Sequence, residues 1–562
     1  MRRNILLVLL ITFLFLISGC MQNYSNQYRA EIEIYISEYL AGPVLEKAKV
    51  KIFNEKNELL AEKLTDEFGY AKLRFSWNSS ENPELPVRIR IEKEKFAFSE
   101  VHDLKITGRK SEFYDNGKVE IVVNKAKTYD NVSQFPEFSI KFVDLSDREI
   151  DLNDIKDQVI YAEITSTERI TVAYFGVGFT PWAASSNGVL TNFDPDETVK
   201  IPIRIPHLKG NQKMNFVIYD INRNRLHKCF YININNELIK PEIMYTPENP
   251  WVYSVTRDYE ARLYSLPIEV LNKVEFYEGE NFNQSDILNS INLNSINNED
   301  YFIPENGNIY VRIYWSFPKD TNKIIGYHVY KSFDGENFEK IAFTEKNSTA
   351  DNGFGNQPGK RIWYKITSAY EGGFESDYSK IVSVVPLNMF KVTKINPKDN
   401  AYNVRRLPDF RWRPVSLKSF ETDTGAGVIP EEDIYYYYNP VVSDAVQGDG
   451  GIWLFGSDKT TIHLKTKGPE LVSLTFLASY WRGYGLEWVY RKDGKMFLYN
   501  TLFDALEPYK SYCWGLNSAY AEYRTNESIS LAVTADIFKG NADLIVPNPS
   551  DTFNIFTTGE NF

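Results

Sequence analysis

The chain has 562 residues, too many for one core, and at about 150 residues per domain it holds three or four. Hydrophobic content of 43% and charged content of 25% are those of a folded globular protein and exclude a disordered or fibrous chain. The net charge of −12 argues against nucleic acid as a partner and against a polybasic grip on anionic lipid.

In chain order, Arg2 and Arg3 form a positive start, followed by an almost wholly apolar run from Ile5 to Ile17. That run is shorter than the roughly 20 residues needed to span a bilayer and fits a signal-peptide core. The string Ile17-Ser18-Gly19-Cys20 resembles the lipobox of bacterial lipoproteins. The resemblance implies a signal peptide over residues 1–19 and acylation of Cys20, which becomes the new N-terminus. It also implies a lipid-anchored protein at the cell membrane or outer membrane, facing the periplasm or the exterior. More than one acyl chain on the cysteine would anchor stably, because each buried methylene contributes about 0.8 kcal/mol. The other readings are a plain secretory signal with a chance cysteine, or an uncleaved anchor. Only Cys229 and Cys513 remain beyond Cys20, in different expected domains, so two buried thiols are expected rather than a disulfide.

After a polar tether over residues 20–29, strand signals begin. Ala30 to Ile36 and Ala48 to Phe53 alternate apolar and polar residues with the period of a strand. Thr65-Asp66-Glu67-Phe68-Gly69-Tyr70-Ala71 reads as a turn, with Gly69 supplying a positive φ and Asp66 capping it. Short strands at this spacing indicate a β-sandwich over 30–126. Ala48-Lys-Val-Lys-Ile and the Asp66-x-x-Gly69 turn resemble the carboxypeptidase regulatory-like, transthyretin-type sandwich. A second all-β block, 133–240, carries strands such as Val159 to Ile164 and Phe216 to Tyr219. Its Asn/Asp-rich turn, Asp220 to Asn224, resembles one in bacterial Ig-like modules.

The third block, 262–388, resembles a fibronectin type III domain through Val311-Arg-Ile-Tyr-Trp315, Ile325 to Tyr330 and Trp363 to Tyr370. The resemblance implies a core Trp315 on the second strand and a Tyr364 on a later one. Its Asn-rich segment, Asn281 to Asn298, reads as a long surface loop. The fourth block, 390–562, resembles the same family through Phe410-Arg-Trp412, Leu506-Glu-Pro508 and Tyr512-Cys-Trp514, but exceeds its usual length of about 100 residues. Extra strands and loops between Thr422 and Tyr499 are expected to account for the excess. The fold class is therefore all-β, a tandem of Ig-like and fibronectin type III-like sandwiches.

Catalytic strings are scarce. Neither a zinc-protease helix motif, a nucleophile elbow, a phosphate loop nor a dinucleotide fingerprint occurs. Ser316-Phe-Pro-Lys319 matches S-x-x-K, but Pro318 disfavours a helix there and a strand-end turn is the better reading. His227 and Cys229 lie two apart on one strand and share a face, yet two ligands are too few for a metal. The acidic turns near Asp144 and Asp194 read as solvated loop charge rather than Ca²⁺ ligands. The constellation that stands out is aromatic. Trp453 follows a glycine-rich stretch, and Trp481, Tyr484 and Trp488 crowd what reads as a hairpin tip. Rings on loops suit sugar faces or peptide side chains, because they bury area at low entropy cost. For Trp481 and Trp488, a place in the core of a large sandwich is the weightier reading. Of Tyr435 to Tyr438, alternate rings are expected in the core and on the surface.

The sequence thus reads as a membrane-anchored lipoprotein acting as a non-catalytic binding or adhesion module. Its ligand would be a polysaccharide or an envelope protein. Neither an enzyme activity, a cofactor nor a metal is expected. The rival readings are a structural stalk of the envelope and an accessory part of a polysaccharide-acting enzyme.

Overall fold

The computed structural model describes residues 27–38, 43–79, 82–127, 137–143, 149–151, 159–179, 189–235, 238–257, 266–279, 282–292, 309–352, 355–416, 429–444, 453–455, 464–478, 488–492, 495–500, 505–534 and 553–561. Strands dominate, with two α-helices and one short 3₁₀ turn among the described residues. The chain is all-β, as its patterning dictates. It divides into two compact units, one comprising residues up to Lys240 with 371–373, the other Pro241–Tyr370 with Phe374–Phe562.

In the first unit, Gln27–Ser37 is the central strand of a three-stranded sheet, between Tyr70–Asn78 and Tyr114–Val122. Its alternation turns Ala30, Ile32, Ile34 and Ile36 inward, where they pack with Val50, Ile52, Ile89 and Ile91 of the opposing sheet. The turn before Tyr70–Asn78 forms as its residues dictate. Asp66 Oδ1 accepts from the N–H groups of Phe68 and Tyr70, each at 2.9 Å, and Gly69 has φ +69°.

The opposing sheet does not stop at the end of the first sandwich. Arg225–Asn235, from the second expected block, pairs in parallel with Ser99–Thr107 from the first, Arg225 opposite Ser99 and Lys228 opposite His102. A nine-stranded sheet therefore runs through both blocks. Both faces of Arg225–Asn235 are consequently used. Leu226, Ile232 and Ile234 enter the second core, while Cys229 enters the first. Asn224 locks the junction, accepting from the Phe98 N–H at 2.9 Å and donating from Nδ2 to Asp220 Oδ2 at 2.8 Å.

In the second unit, the first strand of the third sandwich is Glu248–Thr256, ahead of the expected start at 262. It pairs antiparallel with Ile309–Ser316, which in turn pairs with Ser348–Asp351. Facing these three is a sheet of Glu339–Thr344, Ile324–Ser332, Ile362–Tyr370 and Phe374–Glu375, with Val382–Val384 beside Ile362–Tyr370. A core Trp on the second strand and a Tyr on a later one are what the fibronectin type III resemblance implied. Trp315 and Tyr364 are fully buried between the two sheets.

Of the stretch expected to be a long loop, Asn281 to Asn298, the described part holds a helix, and another helix precedes it. Ile268–Glu278 buries Val270 and Val274, one turn apart, and ends on Gly279, whose N–H donates to Glu275 O at 2.9 Å. Gln284–Asn292 follows, with Asn283 Oδ1 accepting from Ser285 N and Ile287 buried. Asparagine is a poor residue inside a helix but a good cap, so composition alone concealed this one.

The fourth block shares a sheet with the third. Glu248–Thr256 also pairs in parallel with Ser528–Val533, Val252 opposite Ser528 and Thr256 opposite Ala532. The core of the fourth block is aromatic, with Trp412 and Trp514 fully buried beside Tyr436 and Tyr438. The alternation of the tyrosine run holds for these two rings. On the opposite face Tyr437 is also covered, stacked on Tyr520 with centroids 4.6 Å apart.

Candidate binding surface

The sequence-predicted residues fall in different places. Cys20, Trp481 and Tyr484 lie outside the described residues, as do Trp182 and the acidic turn near Asp144. Trp453 opens the strand Trp453–Phe455, with Ser443 opposite it in the ten-stranded sheet. Trp488 opens Trp488–Lys492, an edge strand of a separate five-stranded sheet, opposite Tyr499. The backbone thus places these two tryptophans on strands of two sheets. Ser316 ends its strand, as the Pro318 argument required.

His227 and Cys229 do share a face and meet Asn215. His227 Nε2 lies 2.9 Å from Asn215 Oδ1, Cys229 Sγ lies 3.6 Å from the same oxygen, and Sγ is 3.7 Å from His227 Nε2. Asn215 Nδ2 donates to the Phe179 carbonyl at 2.7 Å. A cysteine, histidine and asparagine in contact invite comparison with a thiol-protease centre, but the geometry is wrong. A catalytic imidazole uses one nitrogen toward the nucleophile and the other toward its orienting group; here both partners crowd Nε2. Burial also pushes the Cys229 thiol up to about 11 and holds His227 well below its usual range, so neither ion forms. This is a neutral, buried polar cluster.

The surface with chemistry to offer is the outer face of the five-stranded sheet of the third sandwich. Alternation that puts Tyr327, Val329, Tyr364 and Ile366 into the core puts His328, Tyr330, Trp363, Lys365 and Thr367 on the other side. The register sets them side by side, with His328 opposite Thr367, Tyr330 opposite Lys365, and Lys340 on the flanking strand opposite Tyr330. Glu375 sits among them. Its Oε1 receives His328 Nδ1 and Lys340 Nζ, each at 3.0 Å. Its Oε2 accepts from the hydroxyls of Tyr330 and Thr367, each at 2.6 Å. Burial alone would raise this carboxyl, but the hydrogen bonds and the Lys340 charge hold it well below the usual carboxylate range. Burial lowers His328, so the imidazole is neutral and donates from Nδ1. Burial and the Glu375 charge keep the Tyr330 phenol protonated.

Beside this network, Lys365 lies between two rings, its Nζ 3.5 Å from the Tyr378 centroid and 4.1 Å from that of Phe338. Desolvation lowers its ammonium. Tyr378 is 52% exposed and also meets Tyr330 edge-on at 5.4 Å. The turn that borders the face is fixed by Asp334, whose Oδ1 accepts from the N–H groups of Glu336 and Asn337 at 2.8 Å. Gly335 has φ +79°, and a Cβ there would lie 3.3 Å from Trp363. With four donors on two oxygens, Glu375 has no free role as an acid or base. The face is instead a pre-ordered platform of rings and cations, held rigid from below. Sequence reasoning named Tyr330 and Trp363 as strand residues but not as a surface. The signal available was the outward-facing set of aromatic and basic residues on adjacent strands.

No family model matches the sequence, and no curated protein is similar to it. Among solved structures, the chain is similar to the FN1–FN3 domains of chicken CNTN1 at 8% identity. That match covers 70% of this chain and 97% of the other with a TM-score of 0.23. It is similar to fibronectin(III)-like modules of Clostridium thermocellum CbhA at 10% identity, covering 38% and 96% with a TM-score of 0.13. It is also similar to a tetra-tandem repeat in the extending region of a large adhesion protein at 8% identity, covering 90% and 99% with a TM-score of 0.13. The chain's own strands, rather than these likenesses, establish its all-β architecture.

Proposed function

We propose that the chain is a membrane-anchored, extracytoplasmic lipoprotein that acts as a non-catalytic binding or adhesion module for a polysaccharide or an envelope protein. Lipid on Cys20 holds it at the membrane; the sandwiches present the binding surface. The observation that carries this reading is the ring-and-cation platform of Tyr330, Phe338, Lys365 and Tyr378, built over a carboxylate that is already fully engaged. Such a face offers contact area and cation–π character at low ordering cost but no proton to transfer. Tyr378→Ala is the test, with binding to a glycan array and capture of detergent-solubilised envelope proteins as the two readouts. The variant is expected to fold and to lose the ligand that the parent retains. Equal binding by both proteins removes the platform from the reading.

A second reading, a structural stalk, is supported by the shared sheets. Parallel pairing of Arg225–Asn235 with Ser99–Thr107, and of Glu248–Thr256 with Ser528–Val533, replaces a linker by a hydrogen-bonded ladder within each unit. Failure of both binding readouts for the parent chain favours this reading.

A further inference from the structure

The first sandwich carries a groove of about 570 Å³ at one end, and its walls are rich in lysine. Lys47, Lys49, Lys93 and Lys95 line it, with Glu92 and Glu94 as its carboxylates and Phe96 among its apolar walls. A cluster of four ammonium groups is unexpected in a chain of net charge −12. Neighbouring carboxylates offset it only in part. Glu92 is engaged away from these lysines, by Lys51 at 2.8 Å and Arg90 at 3.2 Å. Lys49 meets Glu62 only at 3.7 Å, and the Lys47–Glu46 pair is largely exposed and so weak. Lys93 donates to the Glu46 carbonyl at 2.6 Å and also lies in the field of the Glu46 carboxylate, so the groove keeps a surplus of positive charge, four lysines against Glu46, Glu92 and Glu94.

The main chain of two of these lysines is held in place. Lys47 and Lys95 both adopt left-handed φ, +56° and +68°, a conformation uncommon for lysine. Lys47 N–H donates to Thr65 O at 2.9 Å, and Lys95 O accepts from Ala126 N at 3.2 Å, so both are pinned by neighbouring chain. Backbone held in a costly region, where the surroundings over-determine it, is where function is sought.

We infer that this groove binds an acidic polysaccharide, a chain of sugars bearing carboxylates. The ammonium groups match the carboxylates, the exposed Glu94 offers an acceptor to hydroxyls, and Phe96 and the half-exposed Leu64 supply apolar wall against a sugar face. A concave groove suits a polyanionic chain better than a flat anionic bilayer, which cannot enter it. This site is on the first sandwich, and it stands or falls separately from the platform around Tyr378.

The test is calorimetric titration of the full chain, anchored in neutral phosphatidylcholine vesicles, with polygalacturonate, with dextran as the neutral control and phosphatidylglycerol vesicles as the third arm. Polygalacturonate is expected to bind at low salt, to weaken as salt rises, and to outcompete both controls. Lys47→Gln with Lys95→Gln is expected to weaken binding about fivefold for each lysine lost, the upper range for an exposed charge pair. The Arg replacements at the same positions retain it, and Tyr378→Ala leaves it unchanged. Equal affinity for dextran, no binding of polygalacturonate, insensitivity to the lysine changes, or binding only to the phosphatidylglycerol vesicles overturns the assignment.

Discussion

Cys229 Sγ and His227 Nε2 lie 3.7 Å apart, and both face the one side-chain oxygen of Asn215. The contact is between neutral groups in a place no solvent reaches. Cys229 belongs to the second block by sequence yet packs in the core of the first, because its strand is shared between two sandwiches.

A thiol raised to about 11 carries almost no thiolate near neutrality. Folded protein is therefore expected to leave Cys229 unlabelled by a thiol reagent at pH 8 and to release it only in denaturant. Asn215→Ala removes the partner of His227 and the donor to the Phe179 carbonyl together. A cost of about 1–3 kcal/mol is expected for each buried polar group left without a partner, read from urea unfolding. Rapid labelling of Cys229 in native buffer contradicts the assignment.

The Asp220–Asn224 turn gives a second measurable consequence. Burial raises the Asp220 carboxyl from 3.8 to about 6, against the lowering effect of the hydrogen bonds from Asn224. A raised folded pKa means that the folded chain binds the proton more tightly. The contribution is full below pH 3.8 and is lost as pH rises through about 6. Asp220→Asn removes the titration, so the difference in melting temperature between variant and parent is expected to change across that window and to be flat above it. A constant difference from pH 3.5 to 7 would show that Asp220 is not the titrating group.

Much of this architecture was legible locally. Ala30 to Ile36 announced a strand with one buried face, Asp66 and Gly69 announced their turn, and Trp315 and Tyr364 announced a sandwich core, because each depends on side chains within a few residues. The pairing of Arg225 with Ser99 was not legible, since two parallel strands far apart in sequence leave no local trace of their register. Apolar residues on both faces of Arg225–Asn235 were the available clue, but a short apolar run also fits an ordinary core strand. The Asn283 cap was hidden inside an asparagine-rich run. The platform around Lys365 was illegible for another reason: it depends on which outward residues three strands set opposite one another, and register fixes that only in the folded state.

Gly69 is a backbone requirement, as the sequence implied. Its φ is +69°, and a Cβ at this position would lie only 2.5 Å from the Ile36 carbonyl oxygen, so alanine meets both strain and a clash. Gly69→Ala is expected to cost more than the roughly 1–2 kcal/mol of left-handed strain alone. Thermal unfolding of the variant within a degree of the parent would mean that the turn relaxes freely.

Lys331 and Asp351 form a buried ion pair in the third sandwich, Nζ to Oδ2 at 2.9 Å, with the Tyr364 hydroxyl donating to the same oxygen at 2.6 Å. Asp351→Ala leaves a buried ammonium without its carboxylate and a buried phenol without its acceptor. A loss of about 3–5 kcal/mol is expected. Replacing both charges, Lys331→Met with Asp351→Leu, is expected to recover most of that loss, since an apolar pair incurs no desolvation cost. If the double variant is as unstable as the single one, the pair is needed for packing geometry rather than for charge balance.

His328 and Glu375 make the platform sensitive to acid in two stages. Burial holds the His328 imidazole below 6.5, so below that pH the unfolded chain takes up a proton that the folded one resists, and stability falls. Glu375 is held well below 4.5 by its four donors, so a second loss begins as pH drops through the ordinary carboxylate range. His227, in the first unit, titrates in the same direction as His328 and adds to the first stage. A variant is needed to separate them. His328→Gln retains a donor for Glu375 but cannot take the proton. Melting temperature measured from pH 7.5 to 3.5 is expected to show a shallower first stage in the variant and an unchanged second one. Glu375→Gln removes the second stage and, by taking away the carboxylate that raises His328, deepens the first; it also frees Lys340 from its anion, so ligand binding at the platform is expected to change with it. Identical profiles for all three proteins would mean that solvent already reaches His328 and that the network does not hold the face.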